Sequence, residues 1–290
     1  MRVLITGISG FLGYYFIHHS PKDWRVSGTY LNSAPHKGSI YFKEINLQDI
    51  SKVQKFIAKV KPDAIVHTAA ISKPAQCAQN PDSSYRLNVV TPTYLALAAR
   101  DRKIPFIFTS SDLVFDGAKA PYHPESATQP VNLYGKQKKE AERRILDIYP
   151  EATIVRLPLL YGLGQQGKNF LGEWQSKLQK GEQVQAFNDE FRSAAHAKDI
   201  VGGIQLLLEQ QLSGIWHLGG PESLSRYEMA MLLAKQLKVD HTLVLSTQQK
   251  ALSLYPERPA NVTLDSEETY KIGFQPQRME EALKTIIPLR

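Results

Sequence analysis

Up to Leu157, short β-branched runs alternate with segments of helical periodicity, and few folds accommodate that order. The runs Arg2–Thr6, Arg25–Tyr30, Tyr41–Ile45, Ala64–Thr68, Pro105–Thr109 and Thr153–Leu157 predict strands. Segments near 11–19, 49–60, 83–101 and 133–148 predict helices. Strands separated by helices of roughly ten to fifteen residues form βαβ units, so their sheet must be parallel. Right-handed crossovers then put helices on both of its faces. Beyond Leu157 the pattern breaks up. Asn169–Lys180, Ala197–Gln210 and Arg226–Leu237 read as helices and Ile215–Leu218 as an extended piece. Gly162, Gly164, Gly167, Pro256 and Pro259 mark loops.

Gly7, Gly10 and Gly13 follow the first strand directly and open the first helix. Glycines at this junction let main chain pass close to a pyrophosphate, with helix N-terminal N–H groups facing it. This reading assigns Gly7, Ser9, Gly10, Phe11, Leu12 and Gly13 to a dinucleotide and makes the sheet a doubly wound Rossmann sheet. The spacing is G-x-x-G-x-x-G rather than G-x-G-x-x-G. An acid about 20 residues later would bind an adenosine ribose 2′-hydroxyl. The second strand instead runs into Thr29-Tyr-Leu-Asn-Ser33, with His36 and Lys37 beyond. Without a carboxylate to repel a 2′-phosphate, NADP is favoured at Asn32, and NAD stays possible. Asn46 and Leu47 after the third strand are placed to flank the adenine. Thr68, Ala69 and Ala70 after the fourth offer small side chains beside the cofactor. The predicted architecture is a dinucleotide-binding domain over 1–160. A smaller C-terminal α/β substrate lobe follows over 161–290, with some of its segments returning to the first unit.

The formal charge of +7 in 290 residues raises the question of nucleic acid. Lys52, Lys55 and Lys59 recur opposite Val53, Phe56 and Ile57, the pattern of a solvated helix face. No zinc-ligand spacing or long basic run accompanies the charge, so no nucleic-acid partner is expected. A basic surface suits an anionic small molecule. No apolar run approaches a membrane span, and no signal peptide is expected. Cys77 is the only cysteine, which excludes an intrachain disulfide and suits a cytoplasmic protein. His18-His19 has no carboxylate at ligand spacing, so no metal is expected.

Tyr134 and Lys138 form the single Tyr-x-x-x-Lys pair in the chain. Chance alone supplies such a pair, so position carries the weight. The pair opens the helix after the fifth strand, and i,i+4 spacing puts both side chains on one face. Ser111 lies just past that strand, at the carboxyl edge where open α/β sheets bind ligands. Hydride addition to a carbonyl leaves an alkoxide that needs a proton. Tyr134 is the candidate acid, with Lys138 expected to lower its pKa from the ordinary value near 10. Ser111 would polarise the carbonyl, and Lys138 would also hold the nicotinamide ribose. Lys136 and Lys139 are expected to face solvent.

Together these segments resemble the extended short-chain dehydrogenase/reductase family. Within it they resemble the branch of dTDP-4-dehydrorhamnose reductases and the related methionine adenosyltransferase β-subunit. The resemblance runs through Thr6–Gly13, Val66–Ala70, Leu87–Val89, Thr109–Gly117, Pro130–Lys138, Arg156–Gly162, His196–Ile200, Gly214–Pro221, Ser225–Met229 and Glu257–Pro259. It implies an NAD(P)-dependent oxidoreductase acting on a nucleotide-linked 4-keto-6-deoxysugar, with a homodimer possible. It also implies that Asn88 belongs to the hydrogen-bond network supporting the lysine. Two departures concern the sugar: Leu159 stands where family reductases often carry an aromatic residue, and Ile71–Pro74 differs. Two alternatives follow from the family, an NAD-dependent nucleotide-sugar epimerase or dehydratase and a non-catalytic cofactor-binding regulatory subunit. Asp112, Arg192 and Arg258 are candidate substrate contacts, with Lys73 a further candidate for a pyrophosphate. Trp174 and Trp216 read as packing residues.

Overall fold

The computed structural model describes residues 1–35, 40–163, 169–252 and 256–288. His36, Lys37, Gly164 and Gly167 lie outside them. The chain runs through β1 (Arg2–Thr6), α1 (Phe11–His19), β2 (Arg25–Tyr30), β3 (Tyr41–Glu44), α2 (Ile50–Val60) and β4 (Ala64–His67). It continues with α3 (Pro74–Gln79), α4 (Pro81–Tyr85), a π-helical turn (Arg86–Val90), α5 (Thr91–Arg100), β5 (Phe106–Ser111), α6 (Leu133–Ile148) and β6 (Thr153–Leu157). The second half holds β7 (Leu160–Tyr161), α7 (Phe170–Gln179), β8 (Val184–Phe187), β9 (Phe191–Arg192), β10 (Ala195–His196), α8 (Ala197–Glu209) and β11 (Gly214–His217). It closes with β12 (Leu224–Ser225), α9 (Arg226–Leu237), β13 (Val244–Thr247), α10 (Glu267–Lys271) and α11 (Met279–Ile286).

Seven strands form one sheet in the order β11-β6-β5-β4-β1-β2-β3, and every neighbouring pair is parallel. This is the predicted α/β doubly wound sheet. Alternate residues of each strand point to opposite faces, and both faces are covered. Val3, Ile5, Val66, Ile107 and Val155 pack under α1 and α8. Leu4, Ile65, Phe106, Phe108 and Ile154 pack under α2, α5 and α6. Burial on both sides explains why these strands read as apolar runs rather than as alternating patterns. Strand order reverses between β1 and β4, so their carboxyl ends open the crevice where such sheets take ligands.

Two elements after residue 160 belong to this sheet: β11 extends its edge and α8 covers one face. A separate core joins α7, α9 and α11 with the parallel pair β8 and β13. Trp174 packs at its margin and Trp216 at that of the sheet core.

The predicted helix over 83–101 is three segments. The backbone stays helical through both junctions. Pro81 opens the run, and the wider π turn over Arg86–Val90 directly precedes Pro92, which has no N–H to donate back. In α2, Lys52, Lys55 and Lys59 are exposed while Val53, Phe56 and Ile57 are buried.

Burial has a consequence for acid stability. His67 and His217 are enclosed, and desolvation holds both pKa values down to about 3. In the unfolded chain they titrate near 6.5. Between those values the unfolded state binds more protons, so stability present above pH 6.5 is lost as pH falls toward 3. Each enclosed histidine contributes up to about 1.4 kcal/mol per pH unit within that window. Urea unfolding of His67→Gln should therefore depend less on pH between 6.5 and 4 than wild type. An identical slope would show that His67 does not carry the effect.

Candidate active site

At the end of β1 the chain turns on Gly7, whose φ of +71° favours glycine. A Cβ there would lie 2.8 Å from Ala69 Cα, so the turn presses on the loop after β4. Gly10 precedes α1 without a side-chain cap, and the first helical turn contains no acid. Its leading N–H groups therefore lack a side-chain acceptor and are available to an anion. Gly7, Ser9, Gly10, Phe11 and Leu12 line a cavity of about 1030 Å³. Asn32, Asn46, Leu47, Thr68, Ala69 and Ala70 line the same cavity. Gly13 does not: a Cβ there would meet Ile8 O at 2.4 Å, so this glycine lets α1 pack on the turn.

The other wall is built by β5 and α6. The strand continues two residues beyond the predicted Thr109, so Ser111 is its last residue, paired with Leu157. Ser111 Oγ accepts from Leu113 N at 3.2 Å and donates to Asp112 Oδ1 at 3.1 Å. Asn132 caps α6 by accepting from Gly135 N at 3.0 Å. A Cβ on Gly135 would come within 2.0 Å of Leu113 O, so only glycine lets this helix start sit on the turn after β5. That approach brings Tyr134 into the cavity wall beside Ser111, with Lys138 one turn on.

Lys138 is 1% exposed. Its Nζ donates to Thr109 O at 2.8 Å and sits 4.4 Å above the centre of the Phe108 ring. Burial pulls its pKa down to about 7 against the opposing charge of Glu142. The Tyr134 pKa moves the other way from the sequence expectation. Burial and the neighbouring Asp112 charge raise it, and the Ser111 hydrogen bond offsets this only in part. Lys138 Nζ, 5.8 Å from the Tyr134 ring centre, does not offset that rise, and the phenol stays protonated. Lys136 and Lys139 are exposed.

Asn88 is enclosed and away from the cavity lining. Its Nδ2 donates to Ile71 O at 3.0 Å and to Gln137 Oε1 at 2.8 Å, and its Oδ1 accepts from Ile71 N at 3.0 Å. Asn88 thus clamps the loop after β4 to Gln137, the neighbour of Lys138 on α6. Lys73 is exposed and does not line the cavity.

Arg192 and Arg258 both reach the cavity, already paired. Arg192 Nη1 meets Asp112 Oδ2 at 2.9 Å and Nη2 meets Glu190 Oε1 at 3.3 Å. Arg258 holds Glu190 through Nε at 2.8 Å and Nη2 at 2.7 Å. Glu190 and Arg226, which also line the cavity, escaped the sequence reading. Glu190 lies in no spaced motif, and Arg226, though inside the Ser225–Met229 segment of the resemblance, opens a helix where an arginine looks like any surface cation.

The family described as RmlD substrate binding domain matches residues 1–289. The chain is 31% identical over 284 residues to methionine adenosyltransferase 2 subunit beta of Xenopus tropicalis, a match covering 94% of this chain and 83% of that one. It is 26% identical to the probable low-salt glycan biosynthesis reductase Agl14 of Haloferax volcanii, over 99% of this chain and 97% of that one. A dTDP-4-dehydrorhamnose reductase from Bacillus anthracis, solved in complex with NADP, shares the fold with a TM-score of 0.85 at 24% identity. That superposition covers 98% of each chain.

Proposed function

The chain belongs to the RmlD substrate binding domain family, and from that footing we propose that it is an NADPH-preferring reductase of a nucleotide-linked 4-keto-6-deoxysugar. One observation carries the reading: Ser111, Tyr134 and Lys138 line the same cavity as the glycine turn. Main-chain N–H groups that open α1, those of Phe11 and Leu12, would hold the pyrophosphate. Asn32 and the carboxylate-free end of β2 admit a 2′-phosphate, Asn46 and Leu47 flank the adenine, and Thr68–Ala70 lets main chain approach. A bound dihydronicotinamide supplies the hydride.

The chain's own groups handle the oxygen. Ser111 Oγ turns its proton from Asp112 to the substrate carbonyl and stabilises the growing negative charge. Tyr134 Oη, kept protonated by burial, gives its proton to the alkoxide as the carbonyl carbon is reduced to an alcohol carbon. Lys138, anchored on Thr109 O, is placed to hold the nicotinamide ribose. Arg192 and Arg258 are the candidate contacts for the substrate's anionic part, with Asp112 beside the sugar.

The similarity to a methionine adenosyltransferase subunit favours a second reading, a cofactor-binding regulatory subunit. Activity separates the two. Purified protein given a panel of nucleotide 4-ketosugars should oxidise NADPH with at least one, and should bind NADPH more tightly than NADH. Dinucleotide binding without turnover on any member would favour the regulatory reading, and tighter NADH binding would overturn the cofactor preference.

A further inference from the structure

Arg226 brings a third guanidinium to the cavity wall beside Arg192 and Arg258. Its backbone position is fixed twice over. Its N–H donates to Glu190 O at 3.0 Å, and Ser225 caps α9 through reciprocal bonds with Glu228. The guanidinium lies 4.0 Å from the centre of the Phe170 ring and 4.5 Å from that of Trp174. Its guanidinium makes one polar contact among the described residues, a weak one from Nη1 to Met229 Sδ at 4.0 Å. Among the described residues no carboxylate stands within ion-pair distance of it. Of the acids near it, Glu173 and Glu190, Glu190 is already shared by Arg192 and Arg258, and Asp112 is engaged by Arg192. Asp112, Glu190 and Glu257 line this end of the cavity with the three arginines, and among the described residues Arg226 is the one of the three whose guanidinium has no ion-pair partner.

A partly desolvated cation without an anion forgoes stabilisation that an incoming oxyanion restores. The guanidinium stays charged at neutral pH, and the two rings hold its planar fork in place for a bidentate acceptor. We propose that Arg226 is a specificity-determining contact for the diphosphate of the nucleotide-linked substrate. This assignment rests on the reading that the cavity takes a nucleotide sugar.

Arg226→Met keeps the apolar stem against Phe170 and Trp174 and removes the charge. Calorimetric titration with dTDP should show affinity falling about ten- to a hundredfold. Thymidine, which lacks phosphate, and NADPH should bind the variant as they bind wild type. Arg226→Lys should retain part of the affinity, as a point charge does without the fork. Unchanged dTDP binding by Arg226→Met, or an equal loss for thymidine, would overturn the assignment, the latter because it marks a packing role. Wild-type protein that binds neither dTDP nor inorganic pyrophosphate would also end it. If dTDP binding depends on Arg226 but no 4-ketosugar is reduced, the reaction assignment fails and the subsite stands.

Discussion

Tyr134→Phe lowers turnover on any accepted 4-ketosugar by about 10²- to 10⁴-fold, the usual contribution of a positioned acid, while NADPH affinity stays close to wild type. The ring is enclosed at 7% exposure and lines the cavity, so removing Oη alone leaves the wall in place. Among the described residues no second acid is as well placed. Ser111 donates its proton in a hydrogen bond to the carbonyl, Asp112 is tied to Arg192, and Lys138 is held at Thr109 O for the ribose. The loss should fall on kcat, because the proton is needed only as the alkoxide forms. Full turnover by the variant, measured as NADPH oxidation on a substrate the wild type accepts, would move the acid elsewhere.

The parts of this site legible in sequence are those with local causes. The glycine turn, the strand–helix alternation and the one-turn separation of Tyr134 and Lys138 each follow from spacing along a few residues. What escaped depends on which way a side chain turns or on partners far away in the chain. Asn88 binds Gln137 rather than its neighbour Lys138, a difference of about 100° around α6. Lys138 anchors on a strand carbonyl, and no pattern of residue types reveals that bond. Strand β8 pairs with β13 across 60 residues (Val184 with Val244), so neither short run signals its partner. Arg226 gains its meaning from Phe170 and Trp174 of another helix.

Below the cavity, Glu142→Ala should destabilise the protein by about 3–5 kcal/mol, a large share of the roughly 5–15 kcal/mol that holds a typical domain folded. Glu142 lies one turn beyond Lys138 on α6 and is paired with Arg156 of β6 at 2.8 Å, with side chains 6% and 3% exposed. Its Oε1 also accepts from Ser110 Oγ, and Arg156 Nη1 donates to Pro124 O at 2.9 Å. One ion pair thus ties the helix carrying Tyr134 and Lys138 to the two strands beneath it. Alanine at 142 leaves a guanidinium buried without its carboxylate, and the cost is mainly that stranded charge rather than the lost attraction. Removing both charges tests this account, because Glu142→Leu with Arg156→Met leaves no buried cation and should unfold in urea much closer to wild type than Glu142→Ala does. A double variant at least as unstable as the single one would refute the stranded-charge explanation and assign the loss to the Ser110 and Pro124 hydrogen bonds.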